Sequence, residues 1–129
     1  MKSERRKATR YIVQDNGFYI FNHGSKIAGK LMDISRGGLA YQYKPIKGKK
    51  LESSLYDIIR PGSQRFYLFD IICETIYDTS DLIINQSFTG AERRRHGLQY
   101  GKLTENQIGK FEILLRNYVF QPYDNSDIQ

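Results

Sequence analysis

The chain has 129 residues, 40% of them hydrophobic and 26% charged, with 20 lysines and arginines against 14 acidic residues. This length and balance predict a single globular domain and exclude a disordered or collagen-like chain. The longest apolar runs are far shorter than the roughly 20 residues of a membrane-spanning helix, so no membrane insertion is expected. Because the N-terminus has no signal-peptide pattern and Cys73 is the single cysteine, a cytoplasmic protein is expected.

Positive charge is concentrated near the N-terminus. Residues 1–10 contain five basic side chains and one acidic side chain, which accounts for +4 of the net charge of +6. We predict that these residues form a flexible basic arm. The run Arg93-Arg94-Arg95 and a group of lysines between 44 and 50 add positive potential that would attract an anion. An ordinary solvated surface is the alternative for these charge runs.

The body of the chain is predicted to be β-rich, because isoleucine, tyrosine and phenylalanine supply most of its apolar residues. Alternating segments separated by turn residues predict meandering antiparallel strands. In chain order, the predicted strands are 11–13, 18–21, 26–33, 39–43, 65–78, 83–88 and 96–102. The pattern of 51–59 fits either a strand or a short helix that Pro61-Gly62 would end.

The last part of the chain changes to a helical period. Its apolar residues share one helical face and are Ile108, Phe111, Leu114, Leu115, Tyr118 and Val119. Thr104 and Gln107 form a capping-box signal, and Pro122 follows the pattern. We predict a helix over 104–120 that covers one end or edge of a small β structure. The predicted domain spans 1–122, and 123–129 form a polar tail.

No catalytic constellation is visible. His23, His96 and Cys73 lie in unrelated contexts without metal-ligand spacing. Ser35 lacks the preceding glycine of a nucleophile elbow and has no recognisable histidine and carboxylate partners. We therefore expect a non-enzymatic protein without a metal ion or cofactor.

Two motifs stand out in order and spacing. Arg6 and Arg10 are four residues apart before the first strand, and Asp33-x-Ser35-x-x-Gly38 begins at the end of the predicted strand 26–33. The pair resembles the signature of the PilZ domain, the bacterial receptor module for cyclic di-GMP. The ending from 94 to 100 and the following helix resemble the usual end of that domain, so the resemblance covers residues 4–120.

The resemblance implies an all-β fold, a six-stranded antiparallel PilZ-type β-barrel with one C-terminal helix. It implies cyclic di-GMP as the ligand, bound in signal transduction without catalysis. The ligand-binding residues would be Arg6, Arg10, Asp33, Ser35 and Gly38, and Arg5 and Arg36 are two further candidates for ligand contact. Ligand binding would order the basic arm and pass the signal to an effector protein.

The residue types suit this ligand. Arginine can bond phosphate oxygens with two donors, read guanine O6 and N7, or stack on a purine. Asp33 would accept hydrogen bonds from the guanine Watson–Crick edge, Ser35 would donate to phosphate or base, and Gly38 would allow a positive φ or a close approach of the ligand. A local turn is the alternative role for Asp33 and Ser35.

Two other functions are compatible with a basic, tyrosine-rich chain. One is a β-barrel that binds single-stranded nucleic acid through arginines and exposed tyrosines. The other is a PilZ-like adaptor that binds only protein. The presence of both arginines and of Asp33 argues against the protein-only adaptor. A steep salt dependence without preference for the cyclic dinucleotide would favour the nucleic-acid function, but nucleic acid is not the expected partner.

Overall fold

The computed structural model describes residues 10–13, 17–25, 27–48, 54–80, 93–117 and 121–123. Within these ranges the elements are β1 (Arg10–Ile12), β2 (Tyr19–Asn22), β3 (Ala28–Ile34), β4 (Gly38–Tyr43), β5 (Leu55–Arg60), β6 (Phe66–Ser80), β7 (Arg94–Tyr100), α1 (Glu105–Asn117) and β8 (Gln121–Tyr123). Strands β1 to β4, β6 and β7 and the helix correspond to predicted elements, whereas β5 was left open and β8 was not predicted.

Six of the strands close into an antiparallel barrel. Around the barrel they run β2, β5, β6, β7, β4 and β3, and the pairing of β3 with β2 closes the ring. The predicted six-stranded barrel with one helix near the C-terminus is confirmed. Closure gives each strand of the ring a paired neighbour on both sides.

The sequence left open whether the segment between β4 and β6 forms a strand or a short helix. Leu55–Arg60 is a strand, it pairs with both β2 and β6, and it ends immediately before Pro61. Gly62 then adopts a φ of 103°, a value that favours glycine. The predicted strand 83–88 lies outside the described residues.

The strands β1 and β8 extend the sheet beyond the ring. Tyr11 and Ile12 pair with Ile34 and Asp33 of β3, so β1 lies along the end of β3 that β2 does not reach. The backbone of β8 pairs with β1 and sets Tyr123 opposite Arg10.

These pairings correct two sequence predictions. Arg10 belongs to a strand and not to a flexible arm, and Tyr123 belongs to a strand and not to the polar tail. Backbone pairing along an edge requires no apolar periodicity, which is why the pattern of side chains did not show β8. The proposed boundaries of the domain otherwise remain a prediction.

The core fills the barrel with inward-facing side chains. Alternation along the strands places one face inside, as in β3, where exposed and buried residues alternate from Ala28. The largest fully buried apolar side chains are Phe18, Ile20, Leu31, Ile34, Tyr41, Ile58, Ile71, Leu98 and Leu114. Burial of each such side chain contributes about 1.5–3 kcal/mol of transfer free energy.

The helix begins with the predicted capping box. The Thr104 N–H donates to Gln107 Oε1 at 3.0 Å, and the Gln107 N–H donates to Thr104 Oγ1 at 3.1 Å. The buried face consists of Gln107, Phe111 and Leu114, whereas Ile108 is exposed. The predicted face was therefore correct at Phe111, Leu114 and the partly buried Leu115 and wrong at Ile108. Tyr118 and Val119 lie outside the described residues. Within the described part of the chain, no helix has the length and apolar character needed to cross a membrane.

Candidate ligand site

Asp33 lies at the end of β3, beside the motif turn. Its side chain is almost fully buried, and each carboxylate oxygen faces an arginine. Arg10 Nη2 donates to Asp33 Oδ1 at 3.4 Å, and Arg95 Nη2 donates to Asp33 Oδ2 at 2.7 Å. The structure thus joins the second arginine of the first motif to the aspartate of the second motif across 23 residues of sequence.

Arg95 is the residue that sequence reasoning missed. It comes from β7, 62 residues after Asp33, and the sequence analysis treated it only as part of a basic run. A buried carboxylate without a partner is costly, and a charge-assisted bond to a guanidinium offsets the lost hydration. The signal available in the sequence was the basic run itself, but the run did not indicate which of its arginines would meet Asp33.

The turn between β3 and β4 is held by the Ser35 hydroxyl. Ser35 Oγ accepts the N–H groups of Gly37 and Gly38 at 3.1 and 3.2 Å and donates to the Gly38 carbonyl at 3.3 Å. The Ser35 N–H also donates to the Gly38 carbonyl at 2.8 Å. The local-turn alternative raised for Ser35 therefore describes its contacts in this structure, where the hydroxyl stabilises the turn beside Asp33.

Gly38 is required by the packing of two strands. A Cβ at this position would lie 2.1 Å from the Leu98 carbonyl oxygen in β7, whereas at Gly37 it would meet nothing within 4 Å. Among the glycines of the described chain, the positive φ values belong to Gly48 and Gly62. The expectation of a positive φ at Gly38 is therefore wrong, because the glycine serves a close approach of backbones.

Tyr100 connects the turn to the helix. Its buried hydroxyl lies 3.1 Å from the carbonyl oxygens of both Ser35 and Gly38, to which it donates, and burial raises its pKa well above the ordinary value of 10.0. The Tyr100 ring packs against Phe111 of α1 with ring centroids 4.6 Å apart. Arg36, which is mostly exposed, forms an ion pair with Glu112 on the same helix. The motif turn and α1 are thus one connected unit.

The predicted ligand residues have different places in this arrangement. Arg10 and Asp33 touch, while Ser35 and Gly38 build the adjacent turn. Arg36 points to α1. Arg5 and Arg6 lie outside the described residues.

The barrel interior holds His96 and Cys73, two of the side chains that the sequence analysis considered for catalysis or metal binding. The two ring nitrogens of His96 lie 2.8 Å from the hydroxyls of Tyr41 and Thr75, and burial lowers the pKa of His96. Burial raises the pKa of the Cys73 thiol to about 12, so this thiol is protonated near neutral pH. The hydrogen bonds of His96 and the protonated state of Cys73 fit roles in packing.

Comparison with known proteins bears on the fold alone. No family model matches the chain, and no curated protein matches it. The structure is similar to a solved structure described as the PilZ domain with c-di-GMP of YcgR from Escherichia coli, with a TM-score of 0.53 and 13% sequence identity. The match covers 88% of this chain and 91% of that chain.

The chain has a PilZ-like fold. The two structures share this barrel, although their sequences are only 13% identical.

Proposed function

We propose that this chain is a non-enzymatic receptor for cyclic di-GMP, with Arg6, Arg10, Asp33, Ser35 and Gly38 at the ligand site. The observation that carries the proposal is the contact between Arg10 and Asp33, because it brings the two sequence motifs to one place. The likeness to a PilZ domain with c-di-GMP supports the choice of ligand.

The chemistry of the ligand matches the groups at the site. Cyclic di-GMP carries two phosphodiester anions and two guanines. Arg10, together with Arg6, would bind phosphate oxygens through charge-assisted hydrogen bonds. Asp33 would accept from the N1 and N2 donors of guanine, a pattern of donors that adenine does not present.

The two contacts of Asp33 suggest how the site would open to the ligand. The 3.4 Å contact with Arg10 is long for a charge-assisted hydrogen bond, while the 2.7 Å contact with Arg95 is short. A phosphate would take Arg10 from Asp33 Oδ1, and the guanine donors would replace it there. Arg95 would remain bonded to Oδ2 and so keep the carboxylate oriented.

The signal would pass through the basic arm. Its positive charges repel one another, and bound phosphates would remove that repulsion and order the arm over the turn. An effector protein, in the cytoplasm, would recognise the resulting surface.

Limited trypsin digestion tests the ordering of the arm. Saturating cyclic di-GMP should slow cleavage after Arg5 and Arg6 well beyond any change at Arg116, which lies on α1 and serves as the internal control. Equal rates of cleavage at the arm with and without ligand would contradict the switch, even if binding were observed.

Calorimetric titration of the full chain tests the proposal as a whole. We expect saturable binding of cyclic di-GMP with a micromolar or lower Kd, and much weaker binding of GMP. Tight, steeply salt-dependent binding of a single-stranded oligonucleotide in place of cyclic di-GMP would indicate the nucleic-acid function. Absence of binding to either ligand by the folded chain would leave the protein-only adaptor.

A further inference from the structure

A second group of polar side chains lies on another wall of the barrel. His23 is in the turn after β2, Asp57 is in β5 and Asp70 is in β6, and one ligand atom from each lies within 4.8 Å of the other two. These elements form the part of the ring that contains neither Asp33 nor Arg95. Sequence spacing predicted no metal site because the three residues are far apart in the chain, and only the pairing of β5 with β2 and β6 brings them together.

The aspartates are held in place by a β-bulge. The pairing of β5 with β6 shifts between Tyr56 and Ile58, so that Asp57 faces an extra residue of β6. Asp70, in this bulge, has a φ of 59°, and the Asp70 N–H donates to Asp57 Oδ1 at 2.9 Å.

The helix fixes the same bulge from its other side. Gln107 Nε2 donates to the carbonyl oxygens of Phe69 and Asp70 at 2.9 and 3.0 Å. Since Gln107 is also part of the capping box, the conformation of the bulge is set by the packing of α1. Tertiary structure therefore directs the Asp70 carboxylate toward His23.

Both carboxylates approach the same nitrogen of His23. Nε2 lies 2.8 Å from Asp57 Oδ1 and 3.6 Å from Asp70 Oδ1. A single N–H can donate well to only one of them, and Asp70 is beyond hydrogen-bond distance. Even a protonated imidazole would bring one positive charge to two negative charges. A divalent cation would neutralise both carboxylates and accept the lone pair of the imidazole.

The spacing of the three atoms fits such an ion. Zn²⁺ binds histidine nitrogen and carboxylate oxygen at about 2.0–2.2 Å, which places the ligand atoms of a tetrahedral site roughly 3.3 Å apart. The two observed distances from Nε2, 2.8 and 3.6 Å, lie on either side of that value. Asp70 is largely exposed, so water can reach a fourth position.

We propose that His23, Asp57 and Asp70 form a binding site for a divalent transition-metal ion, best suited to Zn²⁺. His23 Nε2 and one carboxylate oxygen from each aspartate would be the ligands. The ion would bind the lone pair of Nε2, with the proton of the neutral imidazole on Nδ1. The site does not depend on the proposed function of the barrel.

Titration of the tag-free, chelator-treated full chain with ZnCl₂ tests the site. Calorimetry should show saturable binding of one Zn²⁺ ion per chain, and Co²⁺ should give the visible absorption bands of a low-coordinate nitrogen and oxygen site. Asp70→Asn is the decisive variant, because asparagine tolerates the left-handed conformation and the side chain is exposed. We expect this variant to weaken Zn²⁺ binding by at least about tenfold.

Two further variants make the result specific. Glu74→Gln removes another exposed carboxylate from the same strand and should leave Zn²⁺ affinity unchanged. His23→Asn should abolish saturable binding while circular dichroism shows a folded chain. The proposal is overturned if the wild-type chain does not bind Zn²⁺ saturably, or if either Asp70→Asn or His23→Asn binds it as tightly as wild type.

Discussion

Asp33 and Ser35 are two residues apart in one motif, yet the structure uses them in opposite ways. Ser35 makes all its side-chain hydrogen bonds with the backbone of its own turn. Asp33 bonds to charged side chains from two other strands, β1 and β7. Ser35 thus stabilises the turn itself. Asp33 is a carboxylate whose arginine partners an anionic ligand could bind instead.

The largest expected effect lies in the turn. Gly38→Ala would place a methyl group 2.1 Å from the Leu98 carbonyl oxygen, so β4 and β7 must move apart. We expect a loss of about 3 kcal/mol in the free energy of unfolding, typical of severe overpacking. Denaturant unfolding measures it. Gly37→Ala is the matched control, since its methyl group would meet nothing within 4 Å, and an equal loss in both variants would refute the packing role.

The next largest effect is expected on ligand affinity, from loss of the Arg10 guanidinium. Arg10→Ala should weaken cyclic di-GMP binding by about 2 kcal/mol, or roughly thirtyfold in Kd, because a charge-assisted contact to phosphate is lost. Calorimetric titration measures the change. The exposed Arg116, on α1, provides the control variant Arg116→Ala, which should bind as wild type does. Unchanged affinity in Arg10→Ala would move the ligand site elsewhere.

The smallest expected effect is a pH dependence of stability caused by His96, the inward-facing neighbour of Arg95. Burial is the main cause that lowers the pKa of His96 below 6.5; Asp78 acts against it and Arg94 with it. His96 therefore takes up a proton in the unfolded chain as the pH falls through 6.5, and in the folded chain only at a lower pH, so stability is lost as the pH falls below 6.5. For one group the slope is at most about 1.4 kcal/mol per pH unit.

Unfolding curves near neutral and mildly acidic pH measure this contribution. His96→Gln should be less stable at neutral pH but should lose less stability on acidification than wild type. The same acid dependence in both chains would show that His96 does not contribute to it.

Local patterns in the sequence predicted the features of this structure that are set by contacts between residues close together in the chain. The Thr104 and Gln107 capping box and the positions of β1 to β4, β6 and β7 follow from such patterns. The contact of Arg95 with Asp33 does not, because it depends on how β3, β4 and β7 align across the barrel. The burial of Gln107 in place of Ile108 likewise reflects a tertiary contact, the binding of its amide to the bulge in β6.

The same distinction applies to the candidate site. The motif residues could be identified from the sequence, but the sequence did not show which of them contact a ligand and which hold the turn. Ser35 and Gly38 appeared as ligand groups, and the structure shows them in hydrogen bonding and strand packing within the protein. Asp33 and Arg10 are the motif residues whose observed contact an anion could replace.

The central claim is that Asp33 reads guanine, and the ratio of two dissociation constants tests it most directly. Competition titrations of wild type and of Asp33→Asn with cyclic di-GMP and cyclic di-AMP would give that ratio for each chain. We predict that wild type prefers cyclic di-GMP by at least about tenfold, equivalent to 1.4 kcal/mol, and that Asp33→Asn loses most of this preference. Equal affinity of the wild-type chain for the two ligands would contradict the account.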